Sequence, residues 1–121
     1  MKVCIIDDNT SITGMFSKLL KMEGHEITVA NGGKAGLALL ENDIFDATIL
    51  DVSMPDFSGI DVVNALHESG RIKEQKIVIL TASTGTDDVL EELKLKGVKE
   101  VLKKPLQLDT LVSTLEAICK S

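Results

Sequence analysis

The 121-residue chain carries 13 Lys and Arg against 19 Asp and Glu, a net charge of −6. An acidic surface repels phosphate backbones and anionic headgroups, so direct nucleic-acid binding and membrane docking are disfavoured. Hydrophobic residues make up 44%, enough at this length for one domain with its own core, and with no Trp or Tyr and three Phe that core must be Ile, Val and Leu.

No apolar run reaches the ~18 residues of a membrane span. The first apolar run meets Asp7 and Asp8 too soon to be a signal-peptide core, so a cytoplasmic location is expected. Cys4 and Cys119 sit at opposite ends of the chain and match neither disulfide nor zinc spacing. Both read as small buried hydrophobes in a reducing compartment.

Lys2 to Ile6 is a short β-branched run that stops at Asp7-Asp8. Ile12, Met15, Phe16, Leu19, Leu20 and Met22 then follow helical spacing up to Gly24. Glu26 to Ala30 reads as a second strand, Asn31-Gly32-Gly33 as a turn, and Ala35 to Leu40 as a second helix. Ala47 to Leu50 is a third apolar run, ending in Asp51. After a loop with Met54, Pro55 and Gly59, the residues Ile60, Val63 and Leu66 mark a third helix. Ile77 to Leu80 is the most β-like run and ends in Thr81. Asp87 to Lys96 predicts a fourth helix with Glu92 and Lys96 paired at i, i+4, stopped by Gly97. Val101-Leu102 belongs to a weak fifth strand before Lys103-Lys104-Pro105, and Leu108, Leu111, Val112, Leu115, Ile118 and Cys119 stripe a last helix.

Five strands alternating with five helices predict an α/β domain over residues 1–121, a doubly wound parallel sheet with helices on both faces. Ligands of such sheets bind beyond the carboxyl ends of the strands. Those ends carry Asp7-Asp8, Asp51, Thr81 and Lys104. Singly, each has an ordinary explanation: an Asp behind a strand is commonly a helix N-cap, and Lys104 a solvated charge. Together they gather three carboxylates, one hydroxyl and one ammonium at one edge. Oxygen donors with no His or Cys nearby suit a hard divalent cation, and Mg²⁺ best, because it takes one or two carboxylates and shares phosphate oxygens. A hydroxyl and an ammonium complete a site for a phosphoryl group, with one carboxylate left as nucleophile.

At these residues the whole chain resembles the response-regulator receiver domains of two-component signalling, in the manner of the chemotaxis regulators. The resemblance rests on four blocks: Ile5-Ile6-Asp7-Asp8-Asn9; Asp51-Val-Ser-Met54-Pro55-Asp-Phe-Ser-Gly59; Ile77-Val-Ile-Leu-Thr81-Ala82; and Leu102-Lys-Lys104-Pro105. It implies a flavodoxin-like sheet in the order 2-1-3-4-5. It further implies Asp51 as phosphoacceptor, Mg²⁺ held by Asp7, Asp8, Asp51 and the backbone carbonyl of Ser53, Thr81 bonded to a phosphoryl oxygen, and Lys104 paired with phosphate. The donor would be a sensor histidine kinase or a histidine phosphotransfer protein. A downstream protein would dock on the fourth helix, fifth strand and fifth helix, the chain being a monomer or a phosphorylation-dependent dimer. The chain would not be a turnover enzyme; it would catalyse only phosphorylation and dephosphorylation of its own Asp51. One position departs from the family: Val101 stands where an aromatic usually reports phosphorylation.

Two rival readings are a flavin-binding domain of the same architecture and an enzyme. Asn9 to Gly14 resembles the phosphate loop of flavodoxins, but Asp7 and Asp8 would face that phosphate and no Trp or Tyr could stack a flavin; Thr10 and Ser11 read instead as helix caps. A phosphatase with an Asp nucleophile would need an acid two residues after it, where this chain has Ser53. Gly32-Gly33-Lys34 lacks the spacing of a phosphate-binding P-loop.

Overall fold

The computed structural model describes residues 1–52, 54, 57–81, 87–103 and 108–120, with backbone alone at 87–90, 108, 119 and 120. The elements in chain order are β1 (Lys2–Ile6), α1 (Thr10–Met22), β2 (Glu26–Ala30), α2 (Gly33–Asn42), β3 (Ala47–Asp51), α3 (Gly59–Ser69), a 3₁₀ turn (Arg71–Glu74), β4 (Ile77–Thr81), α4 (Asp87–Lys96), β5 (Glu100–Lys103) and α5 (Leu108–Lys120). All five strands pair in parallel in the order β2-β1-β3-β4-β5. The expected order and helix number therefore hold. Two details differ from the sequence reading: α2 begins at Gly33 instead of Ala35, and a 3₁₀ turn precedes β4.

Alternation along each strand splits the core into two layers. Cys4, Ile6, Leu50, Ile77 and Ile79 face Leu40 of α2, Val62, Val63 and Leu66 of α3, and Leu93 of α4. Val3, Ile5, Ile49, Val78 and Leu80 face Phe16 and Leu20 of α1 and Leu111 and Leu115 of α5. Strands β3 and β4 are buried at every position, which is why they read as continuous apolar runs. Burying both faces of a sheet at roughly 25 cal/mol per Å² is the main force fixing strand order and register. The Glu92–Lys96 pair forms at 3.1 Å; with Glu92 exposed to water, it contributes little.

Helix caps show how local chemistry sets the elements. Asn9, and not Asp7, Asp8, Thr10 or Ser11, is the N-cap of α1; its side chain accepts from the Ser11 and Ile12 N–H groups at 3.0 and 3.2 Å. Thr10 and Ser11 lie inside the first turn. α3 starts in a capping box, with the Asp61 N–H donating to Ser58 Oγ and the Ser58 N–H donating to the Asp61 carboxylate.

Cys4 is fully buried, and desolvation, assisted by the charge of Asp43, pushes its thiol up to about 12. It is an inert hydrophobe, as its position suggests; the Cys119 side chain lies outside the described residues. Thr48 on β3 is likewise fully buried, and among the described residues its Oγ1 has no hydrogen-bond partner. Leaving a hydroxyl unsatisfied in an apolar layer costs about 1–3 kcal/mol. Thr48→Val is therefore expected to raise unfolding stability by about 1 kcal/mol, read as a higher urea midpoint at unchanged slope; a lower midpoint contradicts this account.

Candidate functional site

Register brings the acids together. Ile6 pairs with Leu50 and Ile6 also pairs with Ala30, so the residue after each strand emerges at the same level of the sheet. Asp7 follows Ile6 and Asp51 follows Leu50, which puts the two acids side by side across neighbouring strands. Their carboxylates are shielded from water, with Asp7 2% and Asp51 4% exposed, while Asp8 is exposed. One oxygen from each of Asp7, Asp8 and Asp51 lies within 4.8 Å of the others. Two ligands of one Mg²⁺ sit up to ~4.2 Å apart, at a metal–oxygen distance of ~2.1 Å each. The cluster thus has the size and donor chemistry to hold such an ion.

Local bonds fix these side chains. The Asp7 N–H donates to the Ala30 carbonyl at 3.1 Å, and the Asn9 N–H donates to Asp7 Oδ1 at 2.9 Å. That second bond is an Asx-type turn, and it holds one oxygen of Asp7 while Asn9 caps α1. Behind Asp51, the Val52 N–H continues the ladder onto the Leu80 carbonyl at 3.1 Å. Gly59 closes the same corner, since a Cβ there would overlap the Asp51 carbonyl oxygen and stand 2.9 Å from Val52 Cα.

Thr81 ends β4 one residue beyond Leu80, the partner of Asp51, and is 2% exposed. Its own partner across the sheet is Lys103, whose side chain is exposed. The structure therefore places four of the sequence-derived residues, Asp7, Asp8, Asp51 and Thr81, at one edge. Lys104 and Ser53 lie outside the described residues, as do residues 82–86 after Thr81. Sequence reasoning passed over Asn9 as the cap of α1. Only its place between Asp8 and the first helical turn signals that role.

The model of the response regulator receiver domain matches residues 3–116. This chain belongs to that family. Among curated relatives, the transcriptional regulatory protein CpxR of Escherichia coli K12 is 34% identical over 119 residues, 98% of this chain and 49% of CpxR. The chain spans about half the length of the curated relatives it matches. Among solved structures, the chemotaxis protein CheY4 of Vibrio cholerae superposes with a TM-score of 0.85 at 34% identity, covering 97% of both chains. The response regulator TrrA of Thermotoga maritima, solved in complex with Mg(2+)-BeF, gives 0.81 at 26% identity over 97% of both. Among the described residues of this receiver domain, no helix is long and apolar enough to cross a membrane.

Three carboxylates of like charge, two of them buried, repel one another unless a cation sits between them. Saturating a site at five times its Kd adds about 1 kcal/mol of stability. MgCl₂ is accordingly expected to raise the melting temperature of the wild-type receiver domain. Asp8→Asn, exposed and therefore harmless to the core, should lose most of that gain. An equal Mg²⁺-dependent rise in both proteins, followed by differential scanning calorimetry, speaks against the cluster as the metal site.

Proposed function

We propose that residues 1–121 form a single cytoplasmic receiver unit that accepts a phosphoryl group on Asp51. The observation that carries this reading is the convergence of the Asp7, Asp8 and Asp51 oxygens within 4.8 Å at the carboxyl edge of the sheet, beside Thr81. The Mg(2+)-BeF complex of a related receiver supports it further.

The chemistry begins when a histidine kinase or a histidine phosphotransfer protein presents phosphohistidine at this edge. An Asp51 carboxylate oxygen attacks phosphorus in line. The new O–P bond makes an acyl phosphate as the N–P bond breaks, and the electron pair stays on the departing imidazole nitrogen. Thr81 donates its hydroxyl hydrogen bond to a phosphoryl oxygen, and Lys104 pairs with the charge that spreads over the equatorial oxygens. Asp7, Asp8, Asp51 and the Ser53 carbonyl would hold Mg²⁺, which would supply the remaining charge neutralisation. The chain's own contribution is to hold nucleophile and electrostatic groups in place before the donor arrives. It catalyses the phosphorylation and dephosphorylation of its own Asp51 and turns over no other substrate. A small donor therefore suffices. Acetyl phosphate with Mg²⁺ is expected to load one labile phosphoryl group, seen by mass spectrometry, and neither Asp51→Asn nor wild type without Mg²⁺ should load. Asp51→Asn loading as fully as wild type would remove Asp51 from the role.

Output runs through the face made by α4, β5 and α5. Strand β5 is the sheet edge and is only partly buried, and Leu95 of α4 is 88% exposed, an apolar contact for a protein target. Val101 on β5 is partly buried against the apolar layer that holds Ile79. An aliphatic side chain there has no polar tip to exchange between core and solvent, so phosphorylation couples weakly to this face. Amide shifts on loading with acetyl phosphate are expected to be large at Asp7, Asp8, Asp51 and Thr81 and clearly smaller along α4 and α5. Equal shifts at the helices and at the site are the contrary result.

A further inference from the structure

The pair Gly32-Gly33 fits no phosphate-loop pattern, yet it opens α2 directly beside the loop that leaves the acid-bearing strand β3. Gly32 is the N-cap and brings no side-chain hydrogen bond to the helix end. Gly33 is buried, and a Cβ on it would overlap the Phe57 carbonyl oxygen outright, with the Phe57 carbonyl carbon at 2.9 Å and Phe57 Cβ at 3.1 Å. Two of these three atoms are backbone and cannot swing aside. The carbonyl of Phe57 is thus seated on the amino end of α2, where the partial positive charge of the helix favours an oxygen.

A second close approach lies nearer β3, Gly59 against Asp51 and Val52. Between these two seats the Met54 and Gly59 N–H groups both donate to the Val52 carbonyl, at 3.1 and 3.2 Å, and the Met54 side chain is buried. A cavity of about 170 Å³ lies between α2 and the loop, lined by Asp8, Asn31, Gly33, Lys34, Met54 and Phe57 among others. Asp8 therefore belongs both to the carboxylate cluster and to the wall on which the loop rests.

We propose that Gly33 is a positioning residue for the phospho-accepting site. By having no side chain it sets how closely Phe57 sits on α2, and through Phe57 and its neighbour in the cavity, Met54, it sets where the Asp51 and Asp8 oxygens stand around the cation. This inference rests on the phospho-accepting reading given above. Groups that orient metal ligands without touching the ion typically change affinity about 10–100-fold when removed, and displacing the loop should act in the same way.

The test is a titration with MgCl₂ alone, followed by amide shifts at Asp7, Asp8 and Asp51. Gly33→Ala is expected to weaken Mg²⁺ binding about tenfold or more. Leu40→Ala, which removes a fully buried side chain from the same helix, should lower the melting temperature and leave the Mg²⁺ affinity unchanged. Met54→Ala frees the same loop from its buried side without touching α2; it should weaken Mg²⁺ in the same direction, and it decides the matter if Gly33→Ala does not fold. Gly33→Ala or Met54→Ala binding like wild type overturns the inference, and so does Leu40→Ala losing affinity as much as they do. A wild-type chain with no saturable Mg²⁺ response overturns it together with the reading it rests on, whereas failure in the variants alone leaves that reading standing.

Discussion

Carboxylates repel, and this molecule is built to hold three of them close together. The oxygens of Asp7, Asp8 and Asp51 approach within 4.8 Å, on side chains of which two are nearly sealed from water. Repulsion between like charges opposes that arrangement. It persists because β1 and β3 are paired in a fixed register and clamped between two apolar layers, so neither strand can slide or tilt to relieve the charge. A slip of one residue would turn every buried side chain of a strand to the wrong layer, a far larger cost than the repulsion it would remove. The hydrophobic core thus fixes an acidic edge, and a divalent cation is what such an edge is suited to receive.

Backbone economy around the cluster serves the same end. An aspartate behind a strand is commonly consumed as a helix cap, which would turn its oxygens toward α1. Here Asn9 takes that task, and its N–H donates a turn bond to the Asp7 carboxylate. On the other side, Asp51 and Val52 approach Gly59 closely, and Phe57 approaches Gly33. Fixing the polar groups before any ligand arrives leaves less reorganisation for the moment of reaction. Architecture alone would not have distinguished this protein from a flavin binder with the same sheet, since one fold hosts many chemistries. The distinction lies in the acidic strand ends and in the lack of Trp and Tyr.

Much of this was legible in the chain. β3 and β4 are buried on both faces and so carry unbroken apolar runs, and α1, α3 and α5 bury one stripe and so show helical spacing. The start of α2 was not legible, because glycine next to glycine carries the signature of a turn whether or not a helix begins there. The 3₁₀ turn at Arg71–Glu74 was missed because four residues are too few for any periodicity to show. Asn9, Thr10 and Ser11 are all competent caps; Asn9 takes the role because its backbone is extended while the next two are already helical.

The sequence by itself determined which groups stand at the strand ends, because side-chain identity and strand period are local properties. It also determined that oxygen donors, and not nitrogen or sulfur, would meet there. Only the tertiary structure decided that Asp7 and Asp51 become neighbours and that Gly33 touches Phe57. Distances between residues far apart in the chain are set by strand register and helix packing, and those follow from the whole core closing at once.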